Sequence, residues 1–432
     1  MSSNQAMNGL SLDQAPPLVI PLSFFCTAPL FLALAGGILL FNGSAVLTQP
    51  LAPSTMVMMG ALYQMTPVVA VAPVPGIRAA HLVHFMMTAG GLGLGVWSLG
   101  VLPPTAALHS FWQLGAAVTL FAIPVGMALL RSKAGTPTVA GMRLAVASLL
   151  VVMGLGVWMA QGWGGGSFAS DRSYLIQVHL TVALLGWVGG LITAVGWQVL
   201  PMFYMTPEFP KHQSWGVFAL SLTGIAGVLT VALFTSMGYL EGAGSTLAAL
   251  AALPLAFAVW IWHPLLVLSA LGKRRRKRVD ASVHFWRASM VLGPVVAVSA
   301  GLALTVNGPT FGPRLDLLFG WLAILGWAGL VVHGMLTRIG PFLIWFHRFS
   351  PHIGKIPVPA MKRMIPEKWI HLGLRLHLLT LALGSAGILT QFDWLLRLTG
   401  CSLLATALVL ALDFKILVGL QPDLTLLSKA KS

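Results

Sequence analysis

Leu325-Gly-Trp-Ala-Gly-Leu-Val-Val-His-Gly-Met-Leu-Thr-Arg-Ile-Gly-Pro-Phe342 decides how the chain is organised, because a second copy stands 140 residues earlier. That copy is Leu185-Gly-Trp-Val-Gly-Gly-Leu-Ile-Thr-Ala-Val-Gly-Trp-Gln-Val-Leu-Pro-Met202, with Leu, Gly, Trp, Gly and Pro in register without a gap. A weaker third copy, Gly60-Ala-Leu-Tyr-Gln-Met-Thr-Pro67, lies further upstream. Gln64, Gln198 and Arg338 each stand three residues before the shared proline. A proline removes a backbone donor and bends or ends a helix, so the three helices share one breakpoint. Self-similarity at a fixed period marks copies of one structural unit.

Apolar residues make up 57% of the 432-residue chain and charged residues 8%, with a mean hydropathy of +0.87. Those values exclude an ordinary soluble domain. Runs of ~20 apolar residues recur along the length, as in a polytopic helical membrane protein. Residues 1–17 are polar and carry no Lys or Arg, so no cleavable leader is expected there. Cys26 and Cys401 form neither a disulfide framework nor a CxxC motif.

Twelve spans are expected, near 18–41, 54–73, 79–101, 107–130, 142–162, 174–204, 213–239, 246–271, 285–306, 316–346, 370–390 and 393–419. They form one all-α transmembrane domain, 1–432, with repeat units 18–130, 142–271 and 285–419. Each unit has four spans and carries the proline helix second. Loops after odd-numbered spans hold only Arg172, Arg314 and Arg397, against the other twenty-two of 25 Lys and Arg on the opposite side. This asymmetry orients both termini to the cytoplasm. The run Lys273-Arg-Arg-Arg-Lys-Arg278 then sets topology and meets anionic lipid headgroups; nucleic acid is not an expected partner. A transporter of two six-span halves would place its long basic loop between spans six and seven instead.

Ionisable groups inside spans are costly and therefore candidates for function. Asp413 is the rare acidic one, expected to pair with Lys415. Histidine dominates, with twelve in the chain. His212, His284, His347, His352 and His371 read as cytoplasmic or interfacial side chains, and His81 and His84 open span three. His109 and His179 lie near the outer ends of spans four and six, where they form a candidate metal site. His263, His333 and His377 fall at one depth, counted at 1.5 Å per residue. Imidazoles at a shared depth without carboxylate partners point to metal or haem ligation. The same side chains serve equally as hydrogen-bonded core histidines. The candidate ligand set is His333 with His377 as its axial partner and His263 or His84 behind it. Arg338 and Arg375 are near enough to pair with haem propionates or to snorkel to the surface.

The segments HLTVALLGWVGGL (179–191), GWQVLPMF (196–203), GALYQMTPVV (60–69) and HGMLTRIGPFLIWFHRFSP (333–351) carry a resemblance over nearly the whole chain. It resembles subunit I of the haem–copper oxidases, and in particular its divergent NnrS-type and subunit-I-like bacterial relatives. The resemblance implies twelve helices in three pseudo-symmetric four-helix arcs in a bacterial inner membrane. It implies haem, of type b, together with copper in some relatives, and a cytochrome or other redox partner. An oxidase also has a span-six His followed by Tyr one turn later, a His-His pair on span seven and two His on span ten. Here span six has His179 without that Tyr, span seven has no His, and span ten has His333 alone. A complete oxygen-reducing centre is therefore not expected, and only His179 and His333 carry over. Three classes remain open: a membrane haem protein in electron transfer or nitric oxide and oxygen chemistry, a cofactor-free permease, and an anchor subunit for a redox partner.

Overall fold

The computed structural model describes residues 15–43, 54–164, 172–240, 242–275, 280–306, 308 and 311–423. Among these there is no β-strand, and eleven helices are long and apolar enough to cross a membrane. They are α1 (Val19–Asn42), α3 (Ile77–Ser98), α4 (Pro104–Arg131), α5 (Pro137–Ala160), α6 (Arg172–Tyr204), α7 (Lys211–Ser236), α8 (Gly244–Gly272), α9 (Ala281–Thr305), α10 (Gly312–His352), α11 (Glu367–Thr390) and α12 (Asp393–Gly419). The chain is an all-α, multi-pass membrane protein. The basic run 273–278 lies partly, and the tail beyond 423 wholly, outside the described residues.

The segment expected at 54–73 is α2 (Ser54–Val69), sixteen residues long. At 1.5 Å per residue the described part extends about 24 Å, short of the ~30 Å apolar core of a bilayer, and residues 44–53 before it lie outside the described residues. Its early end has a local cause. Pro67 sits in its last turn, and Val71 turns the backbone into the left-handed region at φ 50°. A β-branched residue adopts that conformation only under tertiary constraint.

The 140-residue repeat reappears in the backbone. α6 widens into π-helical turns over Val182–Gly189, and α10 does the same over Leu322–Gly329. Each widened segment ends on a glycine for a steric reason. A Cβ on Gly189 would stand 3.1 Å from the Leu184 carbonyl oxygen, and one on Gly329 would stand 3.0 Å from that of Ile324. In both cases the obstacle is the carbonyl five residues back, which the π-turn swings inwards. The turn also points carbonyls at neighbouring helices: Ser289 Oγ of α9 donates to Trp327 O at 2.6 Å. Wide turns of this kind recur at functional sites.

α10 touches both α2 and α6, while α12 lies along α1 and joins the last span to the first. The glycines of the repeat do not mainly serve contacts among α2, α6 and α10. Gly186 faces Ser148 of α5, and Gly326 faces Leu381 of α11 and Leu292 of α9. Only Gly189, beside Trp327, brings α6 close to α10. The three polar repeat positions also diverge. Gln64 is buried, Gln198 is exposed, and Arg338 is tied to Asp280 at the start of α9 (3.0 Å) and to Phe203 O of α6 (3.2 Å). Arg338 thus clasps three helices at one end of the bundle. It is not held ready for a propionate, and Arg375 lies exposed on α11.

A buried histidine pair as candidate functional site

His333 on α10 and His377 on α11 are brought together, with their Nδ1 atoms 3.0 Å apart. Both side chains are buried. The second nitrogen of His377, Nε2, lies 2.9 Å from the Leu325 carbonyl oxygen. These two distances determine the hydrogens. A carbonyl only accepts, so His377 Nε2 carries a hydrogen and, in a neutral ring, His377 Nδ1 is the acceptor. His333 Nδ1 therefore donates, which leaves His333 Nε2 as an unprotonated lone pair. The chain Leu325 O, His377, His333 is the arrangement by which an acceptor fixes the tautomer and orientation of a ligating imidazole.

Local sequence explains how the pair forms. Leu325 lies within the π-turn of α10, and Gly329, one turn on, leaves room for the His377 ring at 3.5 Å from where its Cβ would be. His333 Nε2 lies beside Gly373, one turn before His377, where a Cβ would stand 3.2 Å away. Phe285 of α9 covers the His333 ring at a centroid distance of 4.7 Å. A Cβ at 373 would press on the His333 imidazole, and one at 329 would come into van der Waals contact with that of His377.

The pair forms part of the wall of an apolar cleft. Ala28 and Leu32 of α1, Val57 of α2, Val332 of α10 and Leu410 of α12 supply apolar lining. Opposite ligation of one ion through the two Nδ1 atoms would require them ~4 Å apart, at about 2.0 Å per bond. At 3.0 Å they bond to one another instead. In this geometry His333 and His377 are not opposite axial ligands of one ion. One imidazole with a free lone pair, oriented by the other, is what the donor set offers.

The remaining sequence candidates lie elsewhere. His263 is completely buried on α8, next to Gly196 of α6 and edge-on to Trp197 at 4.9 Å, with neither ring nitrogen hydrogen-bonded. Equal depth along the membrane did not bring it to the pair, because it packs against α6. His84 packs edge-on against Phe24 of α1 at 5.1 Å, and its Nε2 is sealed without a partner. His179 lies against Gly156 of α5. His109 is exposed, with Nδ1 engaged by Thr105 O of its own helix at 2.7 Å. Their surroundings thus differ, one open and one packed on α5. Among the described residues no group of three or more His, Cys, Asp or Glu side chains is placed to hold a metal ion.

Two features escaped the sequence reading. His284 and His371, taken as interfacial, come together with ring centroids 5.8 Å apart. Asp413 does not pair with Lys415; it is 2% exposed and neither carboxylate oxygen has a hydrogen-bond partner. Residues two apart on a helix point to different faces, so that pairing was sterically disfavoured from the start. The other buried polar side chains of α12 are Thr399, Ser402 and Thr406, and Ser402 shares a 2.8 Å hydrogen bond with Thr380 of α11. No protein-family model matches the chain, and no curated protein is significantly similar to it.

Proposed function

We propose that this protein is a membrane redox protein of the haem–copper oxidase subunit I type, which binds haem beside His333 and lacks a complete oxygen-reducing centre. The observation that carries the reading is the buried His333–His377 pair, with one imidazole oriented by the other, in the wall of an apolar cleft. Small-molecule and cofactor sites are typically apolar clefts with a few precisely placed polar groups. In this reading twelve helices form three four-helix arcs within one domain, with α2 the shortest. The shared π-turns of α6 and α10 support that repeat.

His333 Nε2 is the ligand of this site, and His377 holds the ring in the tautomer that leaves that nitrogen bare. The Leu325 carbonyl holds His377 in turn. Ala28, Leu32 and Leu410 give the cleft an apolar wall beside the imidazoles. When bound, haem supplies one-electron and diatomic-gas chemistry that no side chain provides. The test is the absorption spectrum of the protein purified from membranes. A haem Soret band with a reduced-minus-oxidised difference is expected; a protein that folds, carries no such band and takes up no added haem overturns the proposal.

The redox partner on this reading is a cytochrome or similar donor, and the membrane is the bacterial inner membrane. The basic loops face the cytoplasm, where they meet anionic lipid. A reporter fused after Ser432 is expected to be active only in a form that works in the cytoplasm. Periplasmic alkaline-phosphatase activity at that position would reverse the orientation.

A cofactor-free permease is the second reading, and Asp413 favours it. An unpaired carboxylate sealed among helices is the kind of group intramembrane proton carriers use. A haem-free preparation with proton-coupled uptake that Asp413→Asn abolishes would decide for it.

A further inference from the structure

We propose that the outward faces of α9 and α11, at the turns where both helices begin, form a site for the phosphate of an anionic phospholipid. His284 and Arg287 of α9 and His371 and Arg375 of α11 supply it. The two helices are in contact, and the two imidazoles lie with centroids 5.8 Å apart and planes at 45°. Both histidines are half-buried, and Arg375 is exposed. Arg287 follows His284 by three residues and Arg375 follows His371 by four, spacings that put each pair on one helix face.

Beyond these turns the outward stripe of each helix changes character in the order of a phospholipid, polar head first. On α9, Val291, Val295 and Val298 continue the face of His284 at helical spacing. On α11, Leu378 and Leu379 continue that of His371, and all five side chains are exposed. At 1.5 Å per residue, Val298 stands about 21 Å along the helix from His284, more than half of the ~30 Å apolar core of a bilayer. A free phosphate would use the polar end alone, whereas a lipid uses both.

Two imidazoles this close also suit a metal ion, and charge decides against one. The groups whose charge acts on His284 are His371, Arg287 and Arg274 at the end of α8, none of which is ever negative. The neighbouring carboxylates are placed elsewhere: Asp280 pairs with Arg338 at 3.0 Å, and Glu367, one turn before His371, lines a small cleft with Arg338 and Lys362. Among the described residues no third His, Cys, Asp or Glu joins the pair to hold a metal. A phosphate, in contrast, meets guanidinium and imidazolium donors in charge-assisted hydrogen bonds. The imidazoles also distinguish this site from the basic loops. A neutral ring has one N–H to donate and a protonated ring has two together with a charge, so lipid binding is expected to strengthen from about pH 8 to about pH 6. The site does not depend on haem at His333.

The experiment is native mass spectrometry of the full-length protein in detergent, titrated with phosphatidylglycerol or with phosphatidylcholine. Phosphatidylglycerol is expected to bind, and phosphatidylcholine is not expected to displace it. Arg287→Gln/Arg375→Gln is expected to weaken phosphatidylglycerol binding about 10–30-fold, at roughly fivefold per guanidinium near the membrane surface. His284→Gln/His371→Gln is expected to bind at about pH 8 and to lose the strengthening at about pH 6. Lys355→Gln/Arg363→Gln removes the same charge from exposed positions in the loop before α11, and is expected to change binding less than about threefold because those charges are screened by salt. Equal binding of the two lipids, an equal loss in the loop variant, or pH-independent binding to wild-type protein would each overturn the proposal. So would inorganic phosphate displacing the lipid, or zinc binding in its place at His284 and His371.

Discussion

His333→Ala is expected to abolish the haem spectrum, whereas His377→Ala retains it with affinity lowered about 10–100-fold, the usual cost of losing a partner that orients a metal ligand. The asymmetry follows from the hydrogen-bond chain. With His377 Nε2 given to Leu325 O and its Nδ1 accepting from His333, only His333 has a lone pair to offer. His377→Gln supplies an amide oxygen that can accept from His333, so it is expected to recover part of the lost affinity. A purely structural role for His377 would show no such rescue. Haem titration of equal amounts of folded apoprotein, followed by reduced-minus-oxidised spectra, reads all three variants. Equal and complete loss in His333→Ala, His377→Ala and His377→Gln would point to an axial pair and refute the orienting role.

The largest stability effect is expected from Gly400→Val. A Cβ at position 400 would stand 2.5 Å from Leu40 N and 2.6 Å from Gly36 O. Both are backbone atoms of α1, so no side-chain rotation relieves the clash and α12 must move away from α1. Overpacking of this kind costs about 1–3 kcal/mol, and more where backbone blocks relaxation. Gly37→Val provides the control, because a Cβ there has nothing within 4 Å. Helix propensity changes alike in both substitutions, so the difference isolates the contact between first and last spans. Thermal unfolding in one detergent should show a clearly lower midpoint for Gly400→Val than for Gly37→Val. Equal midpoints would mean that the α1–α12 contact contributes nothing.

Much of this architecture was legible along the chain. A span in lipid must be apolar for about 20 residues and satisfy its own backbone, so its presence is written locally in composition. The repeat was legible for a similar reason: Gly189 and Gly329 answer the same backbone demand, a carbonyl swung inwards by a π-turn, and so recur 140 residues apart. The shortness of α2 was half-legible, through Pro67.

The site was legible only as a set of depths. Counting residues from helix ends placed His263, His333 and His377 at one level, yet only the last two meet. Depth along a helix follows from sequence, but the rotation of each helix about its axis is chosen by packing against several neighbours at once. That rotation turns His263 towards Gly196 and Trp197 and turns His377 over Gly329. It also leaves Asp413 sealed without a partner and gives Arg338 to Asp280. The sequence by itself determined that imidazoles would lie within the membrane. Which nitrogen faces which atom was decided only by the tertiary structure, because hydrogen bonds are fixed at the scale of a few tenths of an ångström between helices far apart in the chain.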